Sequence, residues 1–349
     1  MRAVMGLSLG LFLCLSAVLS FACRAAADML TDQQLNPMMK TLAVDASGKV
    51  MHYSVALLSP QAPPETALIV IHGYPHDVNK TLAAAVLAAE KAQQTHLVIV
   101  APLFQADAQA AKKCHRHGRP PSADELQWTC GSWTQGGLAV NAAVSTYQAL
   151  DALIMSLKIA YPTVNSVTVA GFSASAQMIQ HYIGFSALPA NLSLHLRYVI
   201  ADPGSWLYFD DSHSRLPFIQ SKLGKMGITA LATCPTVNDW KYGLNKMPTH
   251  LAAQVSRAKA QYRQADIHYL EGARDQGDWP RAHQAILDKS CAANAQGDSR
   301  LQRGIVYMAY ARAMLKMPSA FSVVPNCAHD VTCVFTSAEG QQALFGTVN

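Results

Sequence analysis

The chain has 349 residues, half of them apolar and only 14% charged, which allows a large buried core and argues against a disordered, solvating segment. That length suits one doubly wound α/β unit carrying an insertion. The formal net charge is +5, with Lys and Arg spread without a long run, so nucleic acid is not expected as a partner.

Residues 1–27 open with Arg2, continue through an apolar stretch from Val4 to Ala22, and reach Ala25-Ala26-Ala27 before Asp28. This is the outline of a secretory signal peptide, and the expectation is cleavage, export to the exterior or periplasm, and no stable membrane insertion afterwards. Two competing readings are an uncleaved anchor, since the apolar run is long, and lipid attachment at Cys23. Removing the segment takes away Cys14 and Cys23 and leaves six cysteines: Cys114, Cys130, Cys234, Cys291, Cys327 and Cys333. An even set in an exported chain points to disulfides. Order along the chain favours pairing each with its neighbour, 114 with 130, 234 with 291 and 327 with 333. No pair has CxxC spacing, so no metal site is expected. The basic run from Lys112 to Arg119, with its alternate histidines His115 and His117, reads as a solvated loop.

Within residues 28–349 the alternating segment Val50–Leu58 predicts a strand. Ala67–Ile71, short and aliphatic, predicts a buried central strand ending in His72-Gly73. Thr81–Thr95 predicts a helix and Leu97–Pro102 a further strand. From Asp107 to Trp133 the periodicity is lost to charge, proline, two cysteines and two tryptophans, as in a disulfide-tied surface excursion. Ala139–Ala160 predicts a long amphipathic helix, Val167–Ala170 a buried strand and Ala174–Gly184 a helix. Arg197–Ala201 and Asp266–Leu270 are strands, separated by an interval rich in Trp, Tyr, Pro and Gly that predicts a cap-like insertion at about 206–262. Within it Asn238–Leu244 could line a pocket or pack the cap onto the sheet. Leu301–Met314 is helical and Phe321–Val324 is the last strand. This alternation predicts a mainly parallel sheet covered by helices on both faces, in a single domain.

The segment Val167 to Ala176 (Val-Thr-Val-Ala-Gly-Phe-Ser-Ala-Ser-Ala) sets Ser173 between small residues, directly after a buried strand and directly before a helix. A nucleophile on so tight a turn needs small residues two positions to either side, supplied here by Gly171 and Ser175. The helix directs its first amides toward developing negative charge, and that of Ala174 is the natural oxyanion donor. His329 lies just after the last strand, inside the Cys327–Cys333 interval, where a short loop can deliver a general base.

In these features the chain resembles the α/β-hydrolase superfamily over most of residues 65–335, with Ser175 in place of the more usual glycine of the elbow. The resemblance implies a second oxyanion amide at Tyr74, in the loop opened by His72-Gly73. It also implies an acid after the next-to-last strand, which gives Asp275, in the chain order Ser173, Asp275, His329. Asp278 and Asp202 are the rival acids. The implied activity is cofactor-free hydrolysis of a small-molecule or lipid carboxylic ester by a serine esterase. The alternatives are a peptidase or amidase of the same fold, or a non-catalytic binding module on a hydrolase scaffold.

Overall fold

The computed structural model describes residues 39–59, 61–114, 120–189, 191–209, 234–317 and 320–346. The expectations for residues 1–27, for His115 to Arg119 and for the stretch 210–233 of the cap-like interval lie outside the described residues.

In chain order the strands are β1 (Met39–Ala43), β2 (Val50–Leu58), β3 (Thr66–Ile71), β4 (Leu97–Leu103), the short β5 (Gln105–Ala106) and β6 (Gln127–Trp128), β7 (Ser166–Phe172), β8 (His195–Ala201), β9 (Asp266–Gly272) and β10 (Ala320–Val324). Eight of them form one sheet in the order β1-β2-β4-β3-β7-β8-β9-β10. β1 and β2 run antiparallel at one edge, and every pairing from β4 to β10 is parallel. The central strands are apolar because helices cover both of their faces. All five residues from Ala67 to Ile71 are buried, and each large aliphatic side chain among them contributes about 1.5–3 kcal/mol relative to exposure.

The principal helices are α1 (Val78–Lys91), α2 (Ala108–Cys114), α3 (Thr146–Ala160), α4 (Ala174–Phe185), α5 (Thr249–Ala252), α6 (Val255–Gln264), α7 (Cys291–Asn294), α8 (Arg300–Tyr310), α9 (Val331–Thr336) and α10 (Ala338–Phe345). One face of the sheet packs on α3, α4, α6 and the tyrosines of α8. The other packs on α1, α9 and α10.

Helix boundaries shift from expectation, two of them because of a capping residue. The helix predicted from Ala139 begins at Thr146, because Ser145 and Gln148 form a capping box: Ser145 Oγ accepts from Gln148 N at 3.1 Å, and Gln148 Oε1 accepts from Ser145 N at 2.8 Å. The helix predicted from Thr81 begins earlier, at Val78, with Asp77 capping Lys80 N. The last predicted helix runs from Arg300 to Tyr310 and continues as a π-helical turn over Ala311–Leu315. Strand β1 was not anticipated.

The three cysteine pairs favoured by chain order are bonded: Cys114–Cys130, Cys234–Cys291 and Cys327–Cys333. Among the described residues no helix is long and apolar enough to cross a membrane. Asn238–Leu244 packs rather than standing open. Trp240 sets its ring edge-on against His181 and Phe185 of α4, and Tyr242 donates to Asp288 Oδ2 at 2.5 Å.

Candidate active site

Ser173 follows β7 and directly precedes α4, with φ 64° and ψ −116°. Left-handed φ is costly for a residue with a Cβ and persists only where the surroundings impose it. Here Ser173 N donates to Ala201 O at 2.9 Å, which ties the turn to the end of β8. The turn is also crowded from inside. A Cβ at Gly171 would lie 2.6 Å from Ser175 C and 2.7 Å from Ala176 N, both backbone atoms that cannot swing away. Gly171→Ala is therefore expected to displace the elbow and to cost about 1–3 kcal/mol of stability, read from a thermal melt beside the parent protein.

Ser175, the departure from glycine at the elbow, is fully buried and puts its hydroxyl to use. Its Oγ accepts from Phe172 N at 3.0 Å and lies 2.7 Å from Ile71 O, to which it donates. The hydroxyl thereby links the Ser173 turn to the end of β3, where the His72-Gly73 loop begins. Glycine could not make this link.

That loop is pinned by His72. Its buried Nε2 accepts from Phe104 N at 3.1 Å, so Nδ1 carries the proton and donates to Gly73 O at 2.8 Å. The ring packs on Trp133, and Gly73 O also accepts from His76 N, closing a tight turn through Tyr74. Across from it, the amide of Ala174 occupies the first position of α4, where helix geometry provides no carbonyl for it.

His329 Nε2 stands 2.8 Å from Ser173 Oγ, and His329 Nδ1 stands 2.6 Å from Asp275 Oδ2. The imidazole is 6% exposed and Asp275 not at all. Desolvation, with the nearby Arg300 charge adding to it, pushes the His329 pKa down to about 4 against the opposing hydrogen bond that its Nδ1 donates to Asp275. The carboxylate and imidazole loops are also bonded to one another: Ala273 N donates to Val324 O, and Arg274 N to Cys327 O. A Cβ at Gly272 would meet Cys327 O at 2.7 Å, so this close approach requires the glycine. The Cys327–Cys333 bond closes the loop that carries His329.

The rival acids lie elsewhere. Asp278 is exposed on the turn beyond Asp275. Asp202 is fully buried, but its Oδ1 accepts from Gly272 N at 2.7 Å, and burial together with the Asp275 charge raises its pKa well above the usual range. It stands behind Asp275 beside Glu271, which burial and the Asp202 charge raise likewise.

Two solved structures give the comparison at useful similarity. The chain aligns with poly(aspartic acid) hydrolase-1 from Sphingomonas sp. KT-1 at a TM-score of 0.56 and 18% identity, covering 88% of this chain and 97% of that one. It aligns with a poly(3-hydroxybutyrate) depolymerase from Bordetella parapertussis at 0.53 and 16%, covering 84% and 86%. The chain has the α/β-hydrolase fold. No protein-family model and no curated protein matches its sequence.

In this fold the four loops of the candidate site all leave the carboxyl edge of the parallel sheet: His72-Gly73 after β3, Ser173 after β7, Asp275 after β9 and His329 after β10. Open α/β sheets place their ligands at that edge. Sequence reasoning missed Arg300, whose Nη1 lies 3.1 Å from Asp275 Oδ1. Its only local signal is Ser299, the N-cap of α8, and that fixes where the helix begins without indicating what Arg300 meets.

Proposed function

We propose that the protein is an exported serine hydrolase that cleaves carboxylic esters through an acyl-enzyme. The observation that carries the reading is the continuous hydrogen-bond line from Ser173 Oγ through His329 to Asp275, on a left-handed elbow at the carboxyl edge of the sheet.

In this mechanism Ser173 Oγ attacks the ester carbonyl carbon while its proton passes to His329 Nε2. Asp275 accepts a hydrogen bond from Nδ1–H, fixing the tautomer and stabilising the imidazolium. The Ala174 and Tyr74 amides hold the oxyanion. Collapse of the tetrahedral intermediate expels the alkoxide, which takes the proton from Nε2. Water then attacks the acyl carbon, giving its proton to His329, and Ser173 leaves with that proton as the carboxylic acid is released. No cofactor enters the sequence of steps.

Three bonded cysteine pairs support an oxidising destination, in keeping with residues 1–27 as a signal peptide. Exposed apolar side chains near the site support an apolar substrate. Tyr74 lies in the oxyanion loop, and Trp279 lies beside Arg281, whose carbonyl accepts from His329 N. The two similar structures are named for hydrolysis of a polyester and of a polyamide, so the bond cleaved is the point to test. Fluorophosphonate is expected to label Ser173, located by peptide mass spectrometry, and p-nitrophenyl acyl esters are expected to be cleaved far faster than the matching p-nitroanilides. Faster anilide cleavage would convert the reading to an amidase. Absence of label on folded protein would favour a binding module.

A further inference from the structure

Asp275 has two carboxylate oxygens, and the array described above uses one. The other, Oδ1, faces Arg300 Nη1 at 3.1 Å, and the same nitrogen donates to Ala282 O at 2.9 Å. Arg300 is 2% exposed. It sits at the first position of α8, set there by the Ser299 cap, and the next residue, Leu301, donates its amide to the Asp275 main-chain carbonyl at 3.4 Å. One helix turn thus holds both the side chain and the backbone of Asp275.

Behind this pair lie two more buried carboxyls, Asp202 and Glu271. Glu271 is pressed against α8 one turn beyond Arg300, where a Cβ at Gly304 would come 2.2 Å from its Oε1. Burial holds both Asp202 and Glu271 toward the protonated form, reinforced by the Asp275 charge at Asp202 and by the Asp202 carboxyl at Glu271. With those two neutral, Arg300 and Asp275 balance one another and the buried cluster carries no net charge. The other charged or titratable groups near His329 are His283, with its ring centroid 6.2 Å away, and Asp330, which caps α9 and faces Arg281 at 3.5 Å.

We propose that Arg300 is a positioning residue for the site: it holds Asp275 Oδ1 so that Oδ2 meets His329, and it sets a buried positive charge against the imidazole so that the site works in acid. The inference rests on the hydrolase reading for its consequence, and on the geometry alone for its electrostatics. The direction of the effect follows from charge. A fixed cation beside the imidazole lowers its affinity for a proton, so His329 stays neutral and able to act as a base below the ordinary histidine range. Removing the cation must raise that affinity. A merely structural arginine would lower activity on removal without moving the titration.

The test is an NMR titration of the His329 imidazole in the purified disulfide-bonded protein, with His329→Ala used to assign the signal, beside the pH profile of kcat/KM on an aryl ester. In the unsubstituted protein the His329 midpoint is expected well below 6.5, toward about 4. A midpoint at 6.5 or above would overturn the inference without any variant. Arg300→Met is expected to raise the midpoint by about one unit or more, to move the acid limb of the profile with it, and to lower kcat with KM unchanged. Arg300→Lys should restore the midpoint. Activity lost in Arg300→Met at an unmoved midpoint, or a lysine variant no different from the methionine one, would make Arg300 packing only. Glu271→Gln should leave the midpoint in place, and a downward shift would show Glu271 ionised and break the charge balance. A protein that ignores fluorophosphonate but shows the Arg300-dependent shift would retain this inference and lose the hydrolase reading.

Discussion

Ser173→Ala is expected to abolish fluorophosphonate labelling and to lower kcat on an aryl ester by about 10⁴- to 10⁶-fold, with far-UV circular dichroism and melting temperature close to those of the parent. The loss follows from the chemistry, because alanine keeps the Cβ and the left-handed backbone but removes the hydroxyl oxygen 2.8 Å from His329 Nε2. The fold should hold because the elbow is fixed by other groups. Ser173 N bonds Ala201 O, and the Ser175 hydroxyl bridges Phe172 and Ile71. The residual rate would come from binding and from the oxyanion amides, which alanine leaves in place. Label retained on the variant would place the reactive group elsewhere and remove the proposed mechanism.

Much of this architecture was legible in the sequence because the parallel strands bury both faces and therefore read as short aliphatic runs. Ala67–Ile71 and Val167–Ala170 have no polar interruption beyond Thr168, which hydrogen-bonds to Leu344 O. Strand β1 was not legible because Met39–Ala43 is an edge strand that is largely exposed, so neither an aliphatic run nor clean alternation marks it. Ser173 and His329 could be nominated because each lies at a strand end, and a strand end fixes position in the sheet. The acid was harder. Asp202 and Asp275 both follow parallel strands, and pattern does not say which carboxylate turns toward the imidazole loop. The deciding contacts are backbone ones, from Ala273 and Arg274 to Val324 and Cys327, and they join segments about fifty residues apart. Arg300 and the Asp202–Glu271 pair were out of reach for the same reason. A buried ionisable cluster is assembled by topology, and each member alone looks like an ordinary charged residue.

The choice among the three acids leads to the second large effect. Asp275→Asn is expected to lower kcat by about 10⁴-fold, whereas Asp202→Asn and Asp278→Asn should stay within a few-fold of the parent. An asparagine at 275 can turn its amide N–H toward His329 Nδ1, which then becomes the acceptor and leaves the proton on Nε2. That proton points at Ser173 Oγ, so the imidazole can no longer take the serine's own proton. The same substitution leaves Arg300 buried without its counter-charge, for a stability loss of about 3–5 kcal/mol, so the melting temperature should fall together with the rate. Asp202 differs on both counts. It is already held toward its neutral form, and an asparagine carbonyl can still accept from Gly272 N, so neither charge nor hydrogen bond is lost. Asp278 is exposed, and the carboxylate that meets His329 Nδ1 is that of Asp275. Measuring kcat and melting temperature for all three variants therefore separates the candidates on two independent scales. A collapse of rate in Asp202→Asn with Asp275→Asn little affected would transfer the acid's role to Asp202, and the carboxylate 2.6 Å from His329 Nδ1 would be left as a structural partner of Arg300.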